Sequence, residues 1–348
     1  MRYIPILCLK EGMKLGKNIY STEGVVLLAE NVILTEEYIA SLIKIGVNGV
    51  YIDDNISSDI VVQNIISDEL RIEAIKSIKS IYNNSHNVGR TINMVENIAK
   101  SIMFEILRSK NIMINMIDIK TFDDYMYTHC LNVGVLAAVV GVGLNLDTKK
   151  IEKLTAAGLL HDIGKVFISK DLLNKTEKLT EEEEKLIRSH AELGYRYIKQ
   201  YYTIPVTSYV GVLQHHERFD GKGYPDGKKG DEISQFGRII CLCDAYDKLV
   251  TEAPTTKACI PSEAIEYIMA NNGQMFDPKL VKVFLRRVAP YPIGSILRLS
   301  NGEKVIVIEN NEECSIRPKV RNVETQEVYD LTYDWNLRNV TIVDVENM

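Results

Sequence analysis

LLHDIGKVF (Leu159–Phe167) sets a histidine, an aspartate and a lysine within five positions of an otherwise apolar stretch. Two readings are open for it. Asp162 could cap a helix and His161 could be a satisfied core histidine; equally, imidazole beside carboxylate is a metal-ligand pair. The remaining histidines decide between them.

The chain has six histidines, and five of them (His129, His161, His190, His215, His216) fall between residues 121 and 289. The sixth, His86, lies in the turn-like NNSHNVG and reads as a surface residue. Taken singly, several of the five read as structural. His129 is flanked by aromatics in YMYTHCLNV, and His190 follows Leu186 and Ile187 by four and three residues, on the apolar side of an expected helix. The adjacent pair His215-His216 resists that reading. Neighbours on a helix point about 100° apart, so both reach one metal only where a helix edge lines a crowded site. Core packing gives no reason for five imidazoles to gather in one region, and a metal centre does.

Other chemistries fail on spacing. Gly158–Lys165 approximates a phosphate-binding loop but carries one residue too many between its glycines, and Val166 stands where Ser or Thr is required. GKGYPDG misplaces its third glycine for a dinucleotide fingerprint, and no G-x-S-x-G elbow is present. The six cysteines are scattered; Cys241-Leu-Cys243 sits in an apolar run and reads as core. Metal-assisted hydrolysis is the chemistry that remains.

The whole chain sets bounds on this. Its 348 residues allow two or three domains. A net charge of −6 argues against a DNA or RNA polymer as partner, although local cations can still receive an anionic small molecule. Unpaired cysteine spacing and the absence of a secretory signal predict a reduced, cytoplasmic setting. Cys130–Leu146 is uncharged but shorter than the roughly 20 residues of a membrane span and holds two asparagines and three glycines, so it predicts a buried core helix rather than a span.

The expected architecture is mainly α. Residues 1–55 read as a small α/β regulatory module, with two short strands around Glu23-Gly24, a helix capped by Thr35, and a closing strand in GVYID. Residues 56–120 read as a helical connector and a candidate dimerising element. Residues 121–289 form the helical catalytic bundle, with a capping box at Thr180 and Glu183. Residues 290–348, with Asn301-Gly302 as a hairpin turn, read as a small β-barrel or sandwich.

HDIGK (His161–Lys165) and HHERFDGKGYP (His215–Pro225) resemble the motifs that name the HD-GYP family of metal-dependent phosphodiesterases. YTHCLNV, LTEEEEKLIRSH, CLCDAYDKL and GQMFDPKLV resemble further segments of that domain, so the likeness spans residues 121–289. It implies a helical bundle with a bimetallic site, usually of iron or manganese. On the family pattern His129, His161, Asp162 and Asp244 hold one ion, and Asp162 bridges to a second held by His190, His215 and His216. The implied substrate is cyclic di-GMP, opened to pGpG and in some members cleaved on to GMP by metal-activated hydroxide. Lys165 is expected to donate to a phosphate oxygen near the catalytic Asp162, against the plainer reading of a solvated helix-end lysine. Asp220, Gly221, Gly223, Tyr224 and Pro225 are expected to form a loop that contacts substrate or is itself fixed beside the metals. Tyr125 stands where some members place a glutamate for a third metal, so two ions are expected. After the late aspartate the family carries basic residues that hold substrate; here Ala253 and Thr256 stand in their places, with Pro254 kept and Lys257 nearby. The alternatives are therefore another cyclic dinucleotide or phosphoester, or a weakly active receptor binding a nucleotide or a signalling protein.

Overall fold

The structure, a computed structural model, describes residues 1–21, 23–47, 49–83, 88–109, 113, 125–200, 205–251 and 258–346. His86 and the run from Ala253 to Lys257 lie outside them. The protein is mainly helical and divides into two compact units, one built largely from Met1–Asn64 with Val288–Met348, the other from Ile65–Ile112 with Met126–Arg287.

In the first unit β1 (Arg2–Pro5) pairs antiparallel with β4 (Gly49–Ile52), and β2 (Ile19–Tyr20) with β3 (Val26–Leu28). Between them α1 (Glu36–Lys44) starts where Thr35 accepts a hydrogen bond from the Tyr38 amide, as its sequence predicts. Ile4, Leu15, Ile19, Leu34, Leu42 and Val50 fill the core of this part.

The second unit holds α2 (Asp68–Asn83), α3 (Val88–Arg108), α4 (Tyr125–Gly143), α5 (Thr148–Leu160), α6 (Lys170–Leu173), α7 (Glu181–Arg188), α8 (His190–Lys199), α9 (Val206–Gln214), α10 (Gln235–Val250), α11 (Pro261–Ala270) and α12 (Pro278–Arg287). Helix α4 is apolar on every side, which requires burial on every side. Thr128 to Gly141 are buried without interruption, and each enclosed Val or Leu contributes about 1.5–3 kcal/mol. Among the described residues α4 is the one helix long and apolar enough to cross a membrane, and 72% of its apolar stretch is buried inside the protein. Helices α2 and α3 pack onto this bundle, α3 against α5 and α2 against α3. The apolar side of α2 (Leu70, Ala74, Ile78, Ile81, Tyr82) is thereby buried within the unit.

The C-terminal strands β5 (Ile296–Leu299), β6 (Lys304–Glu309), β7 (Lys319–Asn322), β8 (Val328–Asp330) and β9 (Ile342–Glu346) form one antiparallel sheet in the order β8-β7-β6-β5-β9. Among the described residues this is a single five-stranded sheet, where a small barrel or sandwich was expected. Strand alternation gives it two apolar faces. Leu297, Leu299, Val305 and Val307 pack under Val320 and Leu331, while Ile296 and Ile306 pack against Tyr51, Ile60 and Val62 of the N-terminal segment. Arg321 pairs with Asp59 across the same contact. The two terminal segments, expected as separate modules, thus complete one another's core.

Candidate metal centre

The site is assembled from element ends. Helix α5 stops at Leu160 with His161 as its C-cap, and Ile163–Phe167 continue as a 3-10 turn. Asp162 therefore stands at the junction and does not cap a helix: no side-chain capping bond is made there. The predicted helix through His190 is also broken. The capping box at Thr180 and Glu183 opens α7 as expected, but α7 ends at Arg188, and His190 begins α8. Likewise α9 ends at Gln214, so His215 and His216 follow the helix rather than lie within it.

Gly164 lets these ends meet. A Cβ there would lie 1.9 Å from the His190 carbonyl oxygen and 2.6 Å from the Gly194 nitrogen, so only glycine lets the turn press against α8. His190 and Asp162 are brought together by that approach, His190 Nε2 standing 3.3 Å from Asp162 Oδ1.

All seven residues expected as metal ligands converge in two adjoining groups, His129, His161 and Asp244 in one, and Asp162, His190, His215 and His216 in the other. Asp162 faces both. Its Oδ2 lies 3.8 Å from His129 Nε2 and 3.5 Å from His161 Nε2, while Oδ1 faces His190 and, at 4.0 Å, His215. Asp244 Oδ1 stands 3.0 Å from His129 Nε2 and 3.4 Å from His161 Nε2.

The hydrogen bonds fix which imidazole nitrogens carry lone pairs. The Nδ1–H groups of His161, His190 and His215 donate to the carbonyls of Gly158, Ile187 and Val212 at 2.8, 2.6 and 2.6 Å. A carbonyl can only accept, so each Nε2 is left as an acceptor aimed inward. The acceptors of His190 and His215 then face one another, their Nε2 atoms 3.3 Å apart, and His161 Nε2 lies 3.2 Å from His129 Nε2. Asp162 Oδ1 and Asp244 Oδ1 are buried without a hydrogen-bond partner. Converging lone pairs and orphaned carboxylate oxygens repel one another unless a cation lies between them, so the donor set fits metal. Burial, together with neighbouring positive charge, pushes His215 and His216 well below the ordinary histidine pKa, and burial above all lowers His190. Burial alone would raise the two aspartates. For Asp162 the ammonium of Lys165 and nearby histidines outweigh it, and for Asp244 Lys248 and His129 do, holding both carboxyls well below the usual range. Neutral imidazoles beside ionised carboxylates are the protonation states that ligation needs. His129 differs. Burial lowers its pKa, but the carboxylates of Asp244 and Asp247 beside it raise it on balance.

Behind the ligands stand groups that the motifs did not single out. Asp247, fully buried, accepts from His129 Nδ1 at 2.7 Å, from Asn132 Nδ2 at 2.8 Å and from the Thr251 hydroxyl at 3.2 Å, fixing the ring of His129. Its spacing, three residues after Asp244, was the available signal. Glu217, immediately after the histidine pair and 1% exposed, accepts from the amides of Asp226 and Lys228 and so ties down the loop that follows.

That loop contains the remaining expected residues. Gly221 has φ +82°, and a Cβ on Gly223 would lie 2.4 Å from the His216 carbonyl, so both positions need glycine. Asp220 pairs with Arg218 and accepts from the Lys222 amide: among the described contacts it fixes the loop. Tyr224, followed by Pro225 across a cis peptide, stacks on His216 with ring centres 4.7 Å apart, and the Arg188 guanidinium stands 5.1 Å from its ring centre. Lys165 lies 2.6 Å from Asp162 Oδ2, bound to the site rather than merely solvated at a helix end.

Comparison with known proteins points the same way. A family model described as HD domain matches residues 94–280. A cyclic di-GMP phosphodiesterase of Pseudomonas aeruginosa is 34% identical over 220 residues, covering 63% of this chain and 53% of that protein. A cyclic di-GMP phosphodiesterase response regulator of Xanthomonas campestris pv. campestris is 36% identical over 153 residues, covering 43% of this chain and 40% of that protein. The chain spans about half the length of these curated relatives, or less. Among solved structures, an HDG"Y"P protein of Bdellovibrio bacteriovorus shares the fold with a TM-score of 0.50 at 17% identity, over 81% of this chain and 97% of that one.

Proposed function

Since this chain belongs to the HD domain family, we propose that it is a metal-dependent phosphodiesterase that hydrolyses a cyclic dinucleotide, with cyclic di-GMP opened to pGpG as the leading reaction. The observation that carries this reading is Asp162, whose two oxygens face two separate groups of inward-pointing imidazoles. That arrangement suits two ions sharing one carboxylate, His129, His161 and Asp244 holding one with Asp162, and His190, His215 and His216 the other. Imidazole and carboxylate donors suit first-row divalent metals, and the likeness to HD-GYP enzymes favours Fe or Mn among them. Bound divalent ions supply Lewis acidity at phosphorus and lower the pKa of an attacking water.

The chain's own groups do the rest. Lys165 keeps one carboxylate oxygen of Asp162 hydrogen-bonded and lies where its ammonium can also meet a phosphate oxygen. Tyr224, stacked on His216 with Arg188 over its ring, borders the donor groups, where its ring edge and hydroxyl can meet substrate. Glu217 and Asp220 keep the Gly221–Pro225 loop in place beside it.

Anaerobically purified protein reconstituted with Fe(II) or Mn(II) should convert cyclic di-GMP to pGpG or GMP, followed by chromatography, and metal analysis should find about two ions per chain. Absence of either product under both metals sinks the cyclic di-GMP assignment. The same hydrolysis of another cyclic dinucleotide is the second reading, favoured by the lack of any arginine between Thr251 and Ala258. A panel of cyclic dinucleotides in the same assay separates the two.

A further inference from the structure

We propose that Lys248 binds a phosphate group of the substrate, a role that rests on the phosphodiesterase reading above. Asp244 and Lys248 lie one turn apart on α10 and share a face, with Lys248 Nζ 2.6 Å from Asp244 Oδ2. Asp162 and Lys165 repeat the same pairing on the other side, also at 2.6 Å. Each carboxylate thus has its Oδ2 capped by an ammonium, while its Oδ1 is turned toward imidazole lone pairs.

Exposure distinguishes this lysine from the ligands. The Asp162 and Asp244 side chains are 0% and 5% exposed, whereas that of Lys248 is 39% exposed, so the Lys248 side chain reaches from solvent to the donor groups.

Charge balance supplies the reason for a substrate role. The two carboxylates and the two ammoniums cancel before any ion enters. Two divalent ions then leave a strong positive excess, which loosens the ammoniums from the carboxylates and favours an anion between them. A cyclic dinucleotide brings two phosphodiester charges. A lysine ammonium on a flexible four-carbon stem can follow that charge from carboxylate to phosphate. If Lys248 served only to orient Asp244, its removal would weaken metal binding. If it binds phosphate, removal weakens phosphodiester binding and leaves divalent-metal affinity equal or tighter, because a competing cation is gone.

The test measures both affinities on full-length protein carrying Lys248→Met, Lys248→Gln or Lys248→Arg. Mn(II) affinity is read by titration, and binding of bis(p-nitrophenyl) phosphate and cyclic di-GMP to the Mn(II)-replete protein by calorimetry, with folding checked by circular dichroism. Loss of a charge-assisted hydrogen bond to phosphate predicts about a tenfold or greater fall in phosphodiester affinity for the Met and Gln variants, with Mn(II) affinity not reduced and Arg restoring binding. Unchanged phosphodiester affinity overturns the proposal, as does a parallel loss of Mn(II) affinity. So does a wild-type protein that binds neither phosphodiester. Wild-type protein that binds bis(p-nitrophenyl) phosphate but leaves cyclic di-GMP intact removes the cyclic di-GMP assignment alone, and the variants still judge Lys248 on the smaller probe.

Discussion

Asp162 shows how one residue's meaning depends on its neighbours. Read alone it is a helix cap; in the fold it has no capping bond, and its two oxygens address two sets of imidazoles. The lysines and the outer carboxylate set the quality of that arrangement. Asp247 acts through His129, holding the ring by its Nδ1–H while Asn132 and Thr251 hold Asp247 in turn. Replacing Asp247 by Asn keeps the shape but gives up the ionised acceptor. Loss of such an outer partner lowers metal affinity by roughly 10–100-fold, so Asp247→Asn should require that much more Mn(II) for half-saturation in a titration while the helical circular dichroism signal persists. Unchanged Mn(II) affinity would show that His129 is oriented by packing alone.

At the scale of elements, the site depends on where helices stop. Periodicity in the sequence carried a helix through His190, yet α7 ends at Arg188, and α5 and α9 likewise end just before their functional residues. Apolar spacing reports which face is buried and says little about the last turn, where hydrogen bonds from side chain to backbone compete. The histidines use that competition: Nδ1 of His161, His190 and His215 each bonds the carbonyl three residues earlier. Gly164 is the element-level constraint with the sharpest consequence. Gly164→Ala forces the 3-10 turn away from α8, because its Cβ would meet the His190 carbonyl at 1.9 Å. Overpacking of this kind costs roughly 1–3 kcal/mol. Urea unfolding should register that loss, and metal analysis should show fewer bound ions, since His190 and Asp162 no longer share one centre.

For the whole molecule, the first unit joins segments from the two ends of the chain, which strand and helix patterns could not reveal. Alternation in β5 and β6 showed apolar residues on both faces but not what covers them; Tyr51, Ile60 and Val62 cover one. Polar contacts secure the N-terminal part of that unit, including Arg2 with Asp54 at 2.7 Å. Burial raises the Asp54 pKa, but hydrogen bonds from Arg2 and Ser57 and the Arg2 charge lower it further, so its folded value lies below the ordinary 3.8. A depressed carboxyl contributes stability that is present above that ordinary value and is lost as pH falls through the folded one. Stability of the first unit should therefore fall as pH drops below 3.8, and Asp54→Asn should flatten that acid limb in unfolding measured against pH. An unaltered limb would mean the pair contributes nothing to folding. The sequence by itself determined the donor inventory, the mainly helical class and the family likeness, because residue chemistry and motif spacing are local properties. Only the tertiary structure decided that Asp162 faces both donor groups, that Asp247 and Glu217 stand behind them, that Lys248 reaches in from solvent, and that the chain's ends share a core. Those are relations between residues far apart in sequence, and only the packed backbone fixes the distance and direction on which they depend.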